Sequence, residues 1–202
     1  FGITMEKRYA EPILLIKTSW GGRSLHTDFR PPSAGPEPIS DATLEQWKKR
    51  GLDVAAETDK VRKNGGVFYR HMIDHTKKVL ADVGRVVPGY DPKRGYELAG
   101  FVWFQGWNDM VDGNTYPNRM SPGGYDQYAD LLAHLIRDVR KDLAAPTLPV
   151  VIGVMGVGGD TDGAKPPQLH FRQAQVKPTT LPEFKGTVVA VPTSPFWDDD
   201  LD

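Results

Sequence analysis

The chain has 202 residues, a net charge of −1 and no cysteine. That length suits one α/β domain, the near-neutral balance offers no basic face for a phosphate backbone, and the lack of thiols excludes disulfides, thiolate nucleophiles and cysteine-bound zinc. Neither nucleic acid nor a membrane is an expected partner, since no apolar run approaches the roughly 20 residues of a spanning helix.

Thr4 to Ala10 is helix-compatible, Pro12 stops it, and Ile13 to Lys17 reads as a buried strand. Trp20-Gly21-Gly22-Arg23 comes next. A glycine pair just after a strand permits a tight turn and lets a backbone N–H approach a ligand without a Cβ in the way. A backbone oxyanion donor is built that way, although an ordinary strand-to-helix turn carries the same signature.

From about 28 to 63 the pattern is an irregular excursion, too proline-rich over Arg30–Pro36 for a regular element, with a short helix at 41–50 capped by Asp41. A clearer helix runs from Gly66 to Val83 and buries Phe68, Met72, Val79 and Val83. His71 and His75 stand four apart within it, the spacing at which two imidazoles share a metal. No glutamate follows the first and no third ligand is evident, so their expected role is structural and no metal is expected.

The chain is organised around Gly100-Phe101-Val102-Trp103-Phe104-Gln105-Gly106-Trp107-Asn108-Asp109. Four apolar residues read as a strand buried on both faces, and they break into two amides, a glycine, an indole and a carboxylate. Ligands of open α/β sheets sit beyond the carboxyl ends of the strands, so Gln105, Asn108 and Asp109 lie where chemistry is done; a plain turn would use Asn108-Asp109 as turn residues.

Asp112 to Gly124 is a long loop, a wall for a cleft. Tyr125 to Leu143 is a helix with one apolar stripe from Tyr128 to Leu143; His134 and Asp138 lie off it, and His134 is expected in solvent. Val150 to Met155 is the next buried strand. Gly156-Val157-Gly158-Gly159 does not open a helix, as a phosphate loop must, so a nucleotide is not expected. Asp160 and Asp162 lack the later ligands of a calcium loop. A helix begins near Phe171, a last strand covers 186–191, and Asp198 to Asp202 form a solvated end. Strands alternating with helices argue a three-layer, flavodoxin-like parallel sheet with helices on both faces.

Trp20-Gly21-Gly22, the Gly100–Asp109 stretch and Phe171-Arg172-x-Ala174-Gln175 together resemble the sialate O-acetylesterase-like carbohydrate esterases of the SGNH-hydrolase superfamily, over nearly the whole chain. The resemblance implies an acetylated sugar as substrate, a Ser-His-Asp type site and no cofactor. It matches Gly22 to the block that supplies a backbone oxyanion donor, and Gln105 or Asn108 to the block that supplies a side-chain amide. Gln105 ends the strand directly and is the preferred donor of the two. Gly21, Arg23, Gly106, Trp107 and Asp109 are the expected substrate-binding residues.

The family's Gly-x-Ser block does not precede Ile13, and no Asp-x-x-His occurs. The expectation is therefore one domain spanning 1–202, incomplete at both ends and inactive alone, its glycan substrate suiting an exported protein. The competing expectation is a non-catalytic carbohydrate-binding or scaffolding domain on the same fold.

Overall fold

Apolar residues recur at helical spacing over 126–142 and run unbroken over 150–154, and the two stretches carry the core. The computed structural model describes residues 1–160 and 164–198. In chain order come α1 (Gly2–Arg8), α2 (Asp41–Lys49), α3 (Val54–Asn64), α4 (Val67–Ala81), β1 (Phe101–Trp103), α5 (Trp107–Val111), α6 (Asp126–Asp142), β2 (Val150–Val154), α7 (Pro166–Val176) and β3 (Val188–Pro192). The strands form a parallel sheet in the order β1-β2-β3, Phe101 beside Val150 and Val150 beside Val188. Parallel neighbours need helical crossovers, supplied by α5 with α6 and then by α7. The fold is thus α/β, a parallel sheet flanked by helices, consistent with an SGNH-like architecture.

Helix α6 buries its stripe as the periodicity dictates: Tyr128, Leu132, Leu135 and Ile136 are inaccessible, as are Ile152 of β2 and Phe171 of α7. Each such side chain contributes roughly 1.5–3 kcal/mol of transfer free energy. Asp138, expected only to lie off the stripe, is buried, and His134 is partly covered and has a partner. Asp138 accepts a hydrogen bond from the Ser33 N–H at 2.8 Å, while His134 Nδ1 meets Ser33 Oγ at 2.7 Å. The short 3-10 turn Pro32–Ala34 crosses the helix and covers that polar strip, a long-range contact that periodicity does not encode.

Three further expectations change. Residues 13–17 form no strand, with Ile13, Leu14 and Leu15 38–51% exposed, and no strand runs beside them among the described residues. β1 is buried on one face only: Trp103 is covered, whereas Val102 and the following Phe104 are exposed, since they point to a face of the sheet that is left open. Val189 and Val191 of β3 share that open face, Val102 lying level with Val151 and Val189.

The excursion is more regular than its sequence reads. Ser40, not Asp41, caps α2 by accepting from the Thr43 N–H, and Asp53 caps α3 through the Ala55 and Ala56 N–H groups. α7 begins at Pro166, before the expected start near Phe171, and so includes His170. Asp162 and Asp199 to Asp202, read above as a failed calcium loop and a solvated end, fall outside the described residues.

Candidate active site

The carboxyl edge of β1 meets the Gly21–Gly22 turn. Gly22 has φ +70°, in the left-handed region that side chains avoid, and a Cβ there would meet nothing within 4 Å. Glycine is therefore required by backbone conformation, and the space around it is open. The Gly22 N–H donates to no acceptor among the described residues. Beyond it the chain closes into a turn, Asp28 accepting from the Ser24 N–H and hydroxyl and Ser24 O accepting from the Phe29 N–H. Arg23 pairs with Asp28 at 3.3 Å and lies 4.2 Å over the Phe68 ring, next to Trp20.

From β1 the chain passes through Gly106 into the short helix α5. A Cβ on Gly106 would stand 2.5 Å from Met155 Sδ and from Phe171 Cε1, so close packing against β2 and α7 dictates this glycine. Gly106, expected to bind substrate, is covered. Trp107 at the start of α5 is 53% exposed. Asn108 is half-buried, and its side-chain amide has no hydrogen-bond partner among the described residues.

Gln105 is fully engaged. Its Nε2 donates to Arg23 O at 3.0 Å and to Asp109 Oδ2 at 2.8 Å, which uses both amide hydrogens. Its backbone oxygen accepts from Tyr128 Oη and Gln175 Nε2, both at 3.1 Å. Gln175 is itself inaccessible and accepts from the Met155 N–H at 2.9 Å, tying the end of β1 to the end of β2. Asp109, expected to face the substrate, is inaccessible to solvent. Its carboxylate accepts from Leu25 N, His26 N, Gln105 Nε2 and Tyr116 Oη. Burial raises its pKa, against the pull of those four bonds.

Alongside, His26 is nearly buried, its Nδ1 3.1 Å from Thr27 Oγ1 and 3.4 Å from Glu37 Oε1. Burial lowers its pKa and the Glu37 carboxylate works in the opposite direction. Tyr116 and Tyr128 have their phenol pKa values pushed up, first by burial and then by the Asp109 charge. Both stay neutral donors at any working pH.

The structure thus joins Arg23, Gln105 and Asp109 by hydrogen bonds, with Gly21, Gly22 and Asn108 beside them along the chain and Trp107 exposed at the start of α5. It does not bring serine and histidine together there. Ser24 is spent on its own turn, where its hydroxyl also accepts from the Thr27 N–H, and His170 Nδ1 lies 3.2 Å from Arg119 O. Ser33 with His134 is a surface clamp between the excursion and mid-α6. Reasoning from sequence missed Tyr116 and His26 outright, and placed Tyr128 only as a core residue. Gln175 had a signal, as the last residue of the Phe171-Arg172-x-Ala174-Gln175 stretch that carries the resemblance. The glycine loop after β2 gives its carbonyls to Arg172, which donates to Met155, Val157 and Gly159 oxygens. A phosphate cradle would need inward N–H groups instead.

A parallel α/β sheet that ties a glycine turn to the carboxyl end of one strand defines a class of fold whose ligands sit at that edge. Within it, the chain belongs to the SASA family, described as carbohydrate esterase, sialic acid-specific acetylesterase, whose family model matches residues 1–189. Neither the curated proteins nor the solved structures gave a match. Membership makes the protein, at this level, a carbohydrate esterase acting on acetylated carbohydrate. Among the described residues, no helix is long and apolar enough to cross a membrane.

Proposed function

We propose that this protein removes acetyl groups from sugars by a serine-hydrolase route, with the Gly22 N–H and the Asn108 side-chain amide as the oxyanion donors. One observation carries the choice of Asn108. Both hydrogens of Gln105 are spent inside the protein, whereas neither the Asn108 amide, three residues further on, nor the Gly22 N–H has a partner among the described residues. Gln105 is then the brace joining the glycine turn to β1, a change from the role its position at the strand end predicts.

In the proposed reaction a serine oxygen attacks the acetyl carbon and a histidine takes its proton. Charge develops on the carbonyl oxygen and is held by the two donors; the ester C–O bond breaks and the sugar oxygen leaves with the proton from the histidine. Water then releases acetate by the same steps. Trp107 offers an exposed indole face to the sugar, with Arg23 and the 112–124 loop alongside. The nucleophile and the acid–base pair are assigned to sequence outside residues 1–202, because Ser24 and His170 are committed to other partners and no Asp-x-x-His occurs. A glycan substrate suits an exported setting.

Residues 1–202 alone are expected to hydrolyse p-nitrophenyl acetate no faster than an inert protein; turnover with inhibitor labelling of Ser19 or Ser24 would overturn the placement of the nucleophile. In the intact protein, Asn108→Ala should lower kcat on an acetylated sugar by about 10²–10³-fold with KM within about twofold. Wild-type kcat in that variant refutes the donor role.

A further inference from the structure

A carboxylate withdrawn from water normally has a cation or a metal beside it. Asp109 has neither among the described residues, yet all four of its acceptor positions are filled. Oδ2 accepts from Leu25 N at 2.7 Å and Gln105 Nε2 at 2.8 Å, and Oδ1 from His26 N and Tyr116 Oη, both at 3.0 Å. These donors come from three separate stretches: the chain after the glycine turn, the end of β1, and the 112–124 loop. An apolar residue would fill the volume at lower cost, so the group is there for the directions it imposes. Two backbone N–H groups bonded to one carboxylate fix the chain that follows Gly22. The carboxylate itself sits on the first turn of α5, one residue after Asn108.

We infer that Asp109 is the positioning residue of the site: it holds the glycine turn and the Asn108 amide in one arrangement, and couples the loop through Tyr116 to that arrangement. Its catalytic consequence rests on the esterase reading above; its structural consequence does not. Asp109→Asn keeps the shape and replaces one acceptor atom by a donor. Whichever way the new amide turns, the N–H of Leu25 or of His26 then faces a donor. Tyr116→Phe removes a single hydrogen bond and leaves the carboxylate in place.

Amide exchange followed by NMR on residues 1–202 tests the holding. In Asp109→Asn, protection at Leu25, His26 or both should fall by about tenfold or more, the scale of one lost hydrogen bond to a charged group. Leu132 and Ile152 should stay within about twofold, and Tyr116→Phe should show a smaller change at His26. Unchanged protection at both 25 and 26, or an even loss over the whole chain, would overturn the inference. Should Asp109→Asn fail to fold, the Tyr116→Phe exchange pattern decides. In the intact protein, Asp109→Asn should lower kcat on the order of 10²-fold with KM within about twofold, and adding Asn108→Ala should cost little more. Full kcat in Asp109→Asn with a loss in Asn108→Ala would overturn the positioning role and leave the donor reading standing. Wild-type kcat in Asn108→Ala would remove the donor reading, and the exchange result alone would then decide whether Asp109 holds the turn.

Discussion

Ile13-Leu14-Leu15-Ile16 and Val150-Val151-Ile152-Gly153-Val154 are apolar runs of nearly the same character with opposite fates. The second lies between β1 and β3, hydrogen-bonded on both sides, with Ile152 inaccessible. The first forms no regular element, has no strand beside it among the described residues and leaves its leucines 40–51% exposed. Apolar composition supplies the gain from burial, but a strand collects it only where neighbours satisfy its backbone and cover its side chains.

The largest test of that contrast is Ile152→Ala, which should destabilise by about 2–5 kcal/mol, measured by denaturant unfolding. A cost under about 1 kcal/mol would mean that β2 is not the centre of the core. Next comes Gly106→Ala, where the new methyl meets Met155 and Phe171; an overpacking cost of about 1–3 kcal/mol is expected in the same measurement. Neutral behaviour there would show that the end of β1 is as yielding as residues 13–17.

His26 asks how far back toward the amino end the firm region reaches. Its folded pKa lies below the ordinary 6.5, through burial. The neutral ring's contribution is therefore fully present above pH 6.5 and is lost as pH falls from there through the folded pKa, at no more than about 1.4 kcal/mol per pH unit for one proton. His26→Gln should flatten the fall of Tm between pH 7 and 5; equal slopes would place His26 in solvent. The smallest effect belongs to Leu14→Ala, expected within about 0.5 kcal/mol of wild type. A loss above about 2 kcal/mol would show that residues 13–17 are buried in solution.

The readable parts of the sequence were those in which neighbours along the chain determine the outcome. α6, α4 and β2 follow from apolar period and run length, and the α/β order with the 1–189 family match agrees with the class read from them. Asp109 was legible as a polar residue at a strand edge but not as a buried one, because its four donors lie up to 84 residues away. The exposure of Val102 depends on what covers that face of the sheet, and a run of apolar residues says nothing about that. α3 was missed although Asp53 signalled its start, because its helix formers show no apolar stripe and it has no buried residue.

Thr27 acts as a gatepost. Its hydroxyl donates to Glu37 Oε2 at 2.9 Å and its carbonyl accepts from the Gly66 N–H at 2.7 Å, so the chain leaves and re-enters the body at a single residue. Everything from 38 to 65, the α2–α3 hairpin included, hangs from that point as a module. Because the closure cost of a loop grows only with the logarithm of its length, such a module can lengthen, shrink or be exchanged with little strain on the rest. Diversification of the protein has its freest ground there, well separated along the chain from the strand edge that carries the chemistry.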